Sequence, residues 1–146
     1  MQLIKAFAVG AVLAAGAAYA QDAPTDPNAI ARSELMKAIG ANTGILGNMA
    51  SGKEAHNATK AEAAKVALVE AAGKIEATYM EQGAADPASE AKPEIWANWD
   101  DFLVKAKALG DAAAAVDVAS AESIGAGMGA IGGACKDCHT TYRAMN

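Results

Sequence analysis

The only two cysteines of the chain stand three residues apart and are followed at once by a histidine, in the sequence Cys135-Lys136-Asp137-Cys138-His139. In a helix, positions i, i+3 and i+4 share one face, so Cys135, Cys138 and His139 converge. Two thiols on that face can bond to the two vinyl groups along one porphyrin edge, and the adjacent imidazole can bind the iron. This C-x-x-C-H pattern is typical of haem attachment, so it predicts a covalently bound haem c.

Three other uses of the motif are less compatible with the sequence. A thiol–disulfide redox pair usually follows a strand and opens a helix, and no strand is predicted before Cys135. A structural zinc site needs four ligands, and beyond the motif only His56 could join it. A disulfide between Cys135 and Cys138 would close a very small loop and stabilise little.

The elements that must position the motif are predicted to be helices. Alanine is abundant, aromatic residues make up only 5% of the chain, and no window alternates apolar and polar side chains as a half-buried strand does. After residue 20, four segments carry apolar residues at helical spacing, separated by breaks at 51–57, 83–92 and 117–120. Short connections favour antiparallel neighbours. We therefore predict an all-α, antiparallel up-down-up-down four-helix bundle that holds one covalent haem.

Two sequence features refine this expectation. Asp26 followed by Pro27 predicts the start of the first helix, because an acidic N-cap and a proline in the first turn favour helix initiation. Glycines also recur with one spacing in the first segment and in the fourth: Gly40, Gly44, Gly47, Gly125, Gly129 and Gly132. Each interior glycine costs about 1 kcal/mol relative to alanine. Either the missing side chains admit a flat cofactor or a close helix crossing, or the fourth helix begins only near Ala130.

Residues 1–20 read as a secretory signal peptide. Lys5 provides the positively charged region, a short apolar stretch follows, and Ala18-Tyr19-Ala20 matches the small-x-small cleavage pattern. The apolar stretch is short for a membrane span, which needs about 20 residues. We therefore expect cleavage after Ala20, a periplasmic mature protein, and a single haem-binding bundle domain over residues 21–146.

The charge of the chain restricts its partners. It carries 12 basic and 17 acidic residues, a net charge of −5 that becomes −6 when Lys5 is removed with the leader. An acidic surface keeps the domain soluble and disfavours nucleic acid or an anionic membrane as partner. We expect no nucleic-acid binding and no membrane insertion after cleavage.

Three stretches together resemble the class II c-type cytochromes, which include the cytochrome c' family and its low-spin, methionine-ligated members. They are ARSELMKAIGANTGILGNM in the first segment, PEIWANWDDF at the start of the third, and GGACKDCHTTYR at the end. The resemblance covers nearly all of residues 21–146. It implies a four-helix bundle in the periplasm with one covalent haem, thioether bonds at Cys135 and Cys138, and His139 as the proximal axial ligand.

The resemblance implies roles for residues outside the motif. Arg32 matches an arginine that contacts a haem propionate in prime-type members, whereas Ser33 departs from the glutamine or glutamate common at the next position. Glu90 matches a polar position near the haem edge. Arg143 follows His139 by one helical turn, so it can approach the proximal side of the haem or remain a solvated cation near the helix C-terminus.

Met36 distinguishes the two subtypes that this family contains. It matches the position that faces the sixth coordination site of the iron. In prime-type members an apolar side chain there blocks the site, so the iron is five-coordinate and accepts nitric oxide or carbon monoxide. In the low-spin members a methionine in this region is the sixth ligand. The sequence leaves both roles open for Met36, along with plain core packing.

Methionine ligation raises the reduction potential and suits electron transfer. The resemblance therefore favours a periplasmic monohaem electron carrier that meets redox partner proteins. The alternative is a five-coordinate protein that binds or buffers nitric oxide or carbon monoxide. No catalytic motif accompanies the haem, so we expect no enzymatic turnover. Members of the family often form homodimers through the first two helices, which makes Leu68 and Ile75 candidates for an interface.

Overall fold

The computed structural model describes residues 23–144, and within them six helices follow one another along the chain. They are α1 (Pro27–Ala50), α2 (Ala58–Gly73), α3 (Ile75–Tyr79), α4 (Glu94–Ala97), α5 (Trp99–Ala115) and α6 (Ala121–Tyr142). Among the long helices, α1 packs on α2 and α6, and α5 packs on the same two. Each long helix thus contacts two others around a shared core, and the predicted four-helix bundle is confirmed.

The first helix begins where the sequence predicted. One carboxylate oxygen of Asp26 accepts hydrogen bonds from the backbone N–H groups of Asn28 and Ala29, both at 3.0 Å, and Pro27 occupies the first turn. Capping of this kind satisfies donors that have no partner within the helix. The helical spacing of apolar residues in this segment also predicts that Ile30 faces the core, but its side chain remains 41% exposed.

The second and third predicted segments are each interrupted once. The second breaks after Gly73, where the N–H of Lys74 bonds to a carbonyl only three residues back, and α3 then continues the direction of the chain. The third breaks at Asn98, whose backbone (φ −129°, ψ 48°) leaves the helical region between α4 and α5. A glycine lowers helix stability and an asparagine side chain competes for backbone partners, so both breaks have local causes.

The fourth helix runs unbroken from Ala121, where Ser120 and Ser123 form a reciprocal capping arrangement. A helix start near Ala130 is therefore wrong. At one end the glycines serve a close crossing of α1 and α6. A Cβ added at Gly47 meets the methyl group of Met128 at 3.7 Å, and one added at Gly125 meets Ala50 at 3.9 Å. Toward the motif the glycines make no such contact. An added Cβ meets nothing within 4 Å at four exposed positions: Gly40, Gly44, Gly129 and Gly132.

The core is apolar and continuous along the bundle. Its largest fully buried side chains come from α1, α2, α4, α6 and the residue that ends α5: Leu46, Met49, Leu68, Ile95, Val116, Ile124 and Ile131. Leu68 is 0% exposed and Ile75 is 3% exposed within the single chain. Neither side chain is therefore available for a homodimer interface, which corrects that expectation.

No helix between residues 23 and 144 is long and apolar enough to cross a membrane. The predicted signal peptide, with its cleavage after Ala20, lies outside the described residues.

Candidate haem-binding site

The motif lies within the last turns of α6, with its three reactive side chains on one side of the helix. Cys135, Cys138 and His139 are all half-buried, and the two cysteines pack against the apolar core. Both thiols are free. The site therefore offers two unpaired sulfur atoms and one imidazole at the boundary between the core and the surface.

Burial keeps these groups neutral. It raises the pKa of the Cys138 thiol to about 11, an effect that the nearby ammonium of Lys105 opposes, and it also raises the pKa of Cys135. Burial, assisted by the positive charge of Arg143, lowers the pKa of His139. An imidazole must be neutral to bind a metal ion, so this environment favours the ligating form of His139.

The structure does not bring together the ligands of the zinc alternative. His56 lies in the connection between α1 and α2, where its Nε2 is 2.9 Å from the carbonyl oxygen of Val118. Val118 precedes α6, and Cys135 comes 14 residues after the helix begins, which is about 21 Å along its axis. Within residues 23–144, no three His, Cys, Asp or Glu side chains are grouped as metal ligands.

Arg32 is buried beside the motif end of the bundle, where a charged side chain needs partners. It is 4% exposed, and its Nη1 donates to the carbonyl oxygens of Glu81 at 3.1 Å and Gln82 at 3.2 Å. The guanidinium lies 5.3 Å from the ring centre of Trp96 and 5.7 Å from that of Tyr79. Contact with aromatic faces stabilises a desolvated cation. The Nε–H is also buried and has no partner.

Glu90 is held at the C-terminal end of α6. Its carboxylate accepts a hydrogen bond from Nε of Arg143 at 2.7 Å, and its carbonyl oxygen accepts from the N–H of Ala144 at 2.8 Å. Ala91 and Arg143 form an isolated antiparallel bridge. The pair lies near His139, because both charges act on the pKa of that imidazole. Glu90 and Arg143, which the sequence suggested as separate candidates, therefore pair with each other beside the motif.

The same connection, residues 83–92, also reaches the start of α1. A carboxylate oxygen of Asp86 accepts from the N–H groups of Thr25 at 2.6 Å and Asp26 at 2.9 Å. Gly83 has φ +74°, and a Cβ there would lie 2.5 Å from a carboxylate oxygen of Asp26. Only glycine accommodates both constraints. Residues 83–92 thus join the N-terminal end of α1 to the C-terminal end of α6.

Met36 lies one turn beyond Arg32 on α1. Its side chain is half-buried and packs against the core cluster, as do Cys135 and Cys138. Gly40 follows one turn later, with no atom within 4 Å of an added Cβ. The thioether of Met36 therefore lies at the core edge, one turn before a glycine whose surroundings are open.

A haem fits these residues on two observations. The buried Nε–H of Arg32 is a donor without an acceptor, and a propionate carboxylate would satisfy it. The four glycines of α1 and α6 at which an added Cβ meets no atom leave the helix surfaces near the motif open to a flat group. A shallow surface groove between α2 and the connection after α5 is lined by none of the predicted site residues.

Sequence reasoning missed the contacts that α5 makes with the motif. Nζ of Lys105 donates to Asp137, which stands between the two cysteines, at 2.6 Å. The hydroxyl of Tyr142 donates to Asp101 at 2.6 Å. Each pair joins residues more than 30 positions apart. Nothing local in the sequence signals such pairs, because they depend on how far α5 is shifted along α6.

Comparison with known proteins agrees with this arrangement. The sequence model of a family described as Cytochrome C' matches residues 28–143. A cytochrome c-556 of Agrobacterium tumefaciens is 36% identical, over 77% of this chain and 91% of that protein. A cytochrome c-554 of Cereibacter sphaeroides is 35% identical over 98% of both chains. Among solved structures, a cytochrome c' described as from Rhodobacter spheriodes superposes with a TM-score of 0.74 at 27% identity, covering 82% of this chain and 96% of its own.

The matched region includes the motif, Arg32, Met36 and Glu90. Sequence identity above 30% over most of the chain and the shared bundle fold point to the same family. The chain belongs to the cytochrome c' family of class II c-type cytochromes, whose members carry one covalently bound haem c per chain.

Proposed function

We propose that this chain is an exported monohaem electron carrier in which Cys135 and Cys138 anchor the haem and His139 binds the iron as proximal ligand. One observation carries the proposal. Two free thiols and an imidazole, all half-buried, share one side of α6 at the edge of the apolar core. When bound, the haem iron supplies the one-electron redox chemistry, and the protein supplies burial, axial ligands and orientation.

We assign the sixth iron ligand to Met36. Its thioether is half-buried on α1, which packs directly against α6, and it lies at the core edge with the two cysteines. A thioether favours the reduced iron, so methionine ligation raises the reduction potential and suits electron transfer. The long, unbranched side chain of methionine can also adapt its reach to a ligand position.

The remaining site residues have supporting roles in this proposal. Arg32 uses its free Nε–H to bind a haem propionate, while its Nη1 stays on the carbonyl groups of Glu81 and Gln82. Glu90 holds Arg143 at the end of α6 and so keeps residues 83–92 over the haem edge. None of these groups forms a nucleophile–base pair, so we propose carriage of electrons without enzymatic turnover.

A second candidate function is the binding of nitric oxide or carbon monoxide. The observation that favours it is the open space at Gly40, one turn beyond Met36, where an added Cβ would meet no atom within 4 Å. Solved structures of cytochrome c prime from Alcaligenes xylosoxidans, at 20–21% identity, include complexes with nitric oxide and with carbon monoxide. In this function Met36 blocks the sixth site without binding the iron.

Export and partners belong to the same proposal. The family match begins at residue 28, so the predicted leader lies outside the matched region. A periplasmic location would bring the carrier to soluble or membrane-bound redox proteins with basic docking surfaces, since this chain is acidic. A homodimer through α1 and α2 would have to use exposed side chains such as Val66, which is 46% exposed.

The deciding experiment is an absorption spectrum of the mature protein, oxidised and reduced, with and without carbon monoxide. A sharp reduced α band, together with the methionine–iron charge-transfer band in the oxidised protein, is expected for the electron carrier. A broad high-spin spectrum that changes strongly with carbon monoxide would contradict the assignment of Met36 and favour gas binding. Mass spectrometry of the mature N-terminus tests cleavage after Ala20.

A further inference from the structure

One ion pair of the bundle connects α5 to the haem-attachment motif itself. Nζ of Lys105 lies 2.6 Å from a carboxylate oxygen of Asp137, between Cys135 and Cys138. The two charges are unequally exposed, since the Lys105 side chain is 18% exposed and that of Asp137 is 68% exposed. Neighbouring residues therefore cover most of the Lys105 side chain, whereas the Asp137 side chain faces solvent.

This pair differs from the other ion pairs on the long helices. The pairs of Lys37 with Glu34 and of Lys107 with Asp111 each lie within one helix, and all four side chains are at least 66% exposed. Exposed pairs of that kind contribute little because water screens them. Lys105 instead crosses between helices with most of its side chain removed from solvent.

The packing around Lys105 fixes its position. One turn earlier on α5, Asp101 accepts a hydrogen bond from the Tyr142 hydroxyl at 2.6 Å, so α5 is fastened to α6 on both sides of Cys138. Phe102 lies between these two contacts, with its ring centre 5.5 Å from that of Tyr142. The register of α5 against the motif is therefore set by two polar contacts and one aromatic contact.

The ammonium of Lys105 lies beside one of the two residues to which the haem bonds. It is 2.6 Å from the carboxylate of Asp137, the residue immediately before Cys138. Asp137 and Asp101 are the acidic groups that face it from α6 and α5. A charge with less access to water interacts more strongly with its surroundings than a well-solvated one does. Because the Lys105 side chain is much less exposed than that of Asp137, the positive charge of the pair has the larger effect at the motif.

We propose that Lys105, oriented by Asp137, is a built-in positive charge beside the Cys138 thioether that raises the reduction potential of the haem. Reduction adds one negative charge at the iron, which a nearby cation stabilises. Asp137 determines where the ammonium lies, and its own negative charge partly cancels the effect of the Lys105 charge on the haem. This inference rests on the electron-transfer function proposed above and assigns one of the groups that adjust its potential.

The test compares midpoint potentials of the haem-loaded protein and four variants by spectroelectrochemistry. Lys105→Met removes the charge and keeps the length of the side chain, and Lys105→Arg keeps the charge. Asp137→Asn removes the outer charge. Lys107→Met is the matched control, because Lys107 lies two residues away on α5 in a fully exposed pair. Covalent haem is verified in each protein by mass before the potential is measured.

Removing the charge of Lys105 and removing the charge of Asp137 are expected to shift the reduction potential in opposite directions. Lys105→Met lowers the potential, so the ratio of reduced to oxidised protein at the wild-type midpoint falls roughly three- to tenfold, as for one partly screened unit charge. Asp137→Asn raises the potential, and Lys105→Arg remains close to the wild type. Lys107→Met shifts the potential much less.

The inference is overturned if Lys105→Met and Asp137→Asn shift the potential in the same direction, or if neither exceeds the shift of Lys107→Met. A purely structural role for the pair predicts that common direction. If Lys105→Met does not take up haem, the potential of Asp137→Asn tests the inference on its own. This variant replaces an exposed side chain by one of equal size, and an increase in its reduction potential is expected. A high-spin wild-type spectrum would overturn the proposed function while leaving this comparison valid.

Discussion

The guanidinium of Arg32 lies 5.3 Å from the ring centre of Trp96, and both side chains contact the end of α3: the indole N–H of Trp96 donates to the carbonyl oxygen of Tyr79 at 2.8 Å. α1, α3 and α4 thus meet at one buried cation. Charge-assisted hydrogen bonds and contact with aromatic faces offset the cost of removing this charge from water.

Replacing Arg32 by Met should lower the free energy of unfolding of the haem-loaded protein by about 1–3 kcal/mol, because the carbonyl groups of Glu81 and Gln82 lose their donor. Urea denaturation followed by circular dichroism measures this loss. Lys74→Met, at an exposed position, is the control and should change stability little. An Arg32→Met protein as stable as the control would show that the buried contacts contribute nothing.

Replacing Met36 by Ala should convert a low-spin spectrum to a high-spin one and should remove the methionine charge-transfer band, because the iron loses its sixth ligand. Carbon monoxide should then bind without displacing a protein group. Met80→Ala is the matched control, since Met80 is 58% exposed and its loss should leave the spectrum unchanged. If Met36→Ala keeps the wild-type spectrum and only binds carbon monoxide more tightly, Met36 blocks the site without ligation.

Replacing His139 by Ala should leave the haem attached through Cys135 and Cys138 while abolishing the normal proximal ligation. Denaturing mass spectrometry should find the covalent adduct, and the absorption spectrum of the folded protein should change in both oxidation states. An unchanged spectrum would contradict the role of His139. Loss of the adduct together with the spectrum would mean that the imidazole is needed for attachment as well as for ligation.

Asp86 should make the stability of the protein depend on acid pH. Three backbone N–H groups, of Asp26, Thr25 and Ala88, lower the pKa of its carboxyl group. The folded state therefore favours the ionised form, and this stabilisation is complete above the ordinary pKa near 3.8 and is lost as the pH falls through the lower, folded value. Asp86→Asn should be less stable than the wild type at neutral pH, and the difference should shrink toward about pH 3.

The measurement for Asp86 is the thermal midpoint of both proteins across that pH range, with Asp100→Asn as an exposed control. If the thermal midpoint of the wild type exceeds that of Asp86→Asn by the same amount at every pH, the charge of the Asp86 carboxylate does not contribute to holding the start of α1.

Two glycines of α6 should respond oppositely to alanine. At Gly127 the added methyl would lie 2.8 Å from a methyl group of Val116, so Gly127→Ala should destabilise the protein by about 1–3 kcal/mol through overpacking. At Gly133, which is exposed and has no atom within 4 Å, alanine should stabilise the helix by about 0.5–1 kcal/mol. Chemical denaturation of the two variants checks both signs, and equal effects would contradict the packing at Gly127.

The sequence predicted the bundle because its signals are local. Asp26 and Pro27 mark a helix start, and the spacing of apolar residues defines each buried face. The motif needed only its own spacing to predict a haem, and the family comparison supports that cofactor. The breaks at Lys74 and Asn98 were missed because one glycine or asparagine does not reveal whether tertiary packing will keep a helix continuous.

The contacts of the site were less accessible from the sequence. Met36 and Arg32 were identified only through resemblance to a family. The pairing of Lys105 with Asp137 depends on the shift between two helices, which no periodicity encodes. The burial of Arg32 between Trp96 and Tyr79 likewise requires α3 and α4 to be placed first. Local patterns therefore predict which residues face inward, and packing decides which of them meet.

Residues 83–92 have a consequence for how the protein can be labelled. They hold the N–H of Thr25 through Asp86 and the N–H of Ala144 through the carbonyl oxygen of Glu90, so the first and last parts of the described chain lie at the same end of the bundle as the motif. An affinity tag or electrode linker joined close to Thr25 or Ala144 would therefore stand near the motif. A cysteine for surface attachment is better placed in the α1–α2 connection, at the opposite end, where Lys53 is exposed.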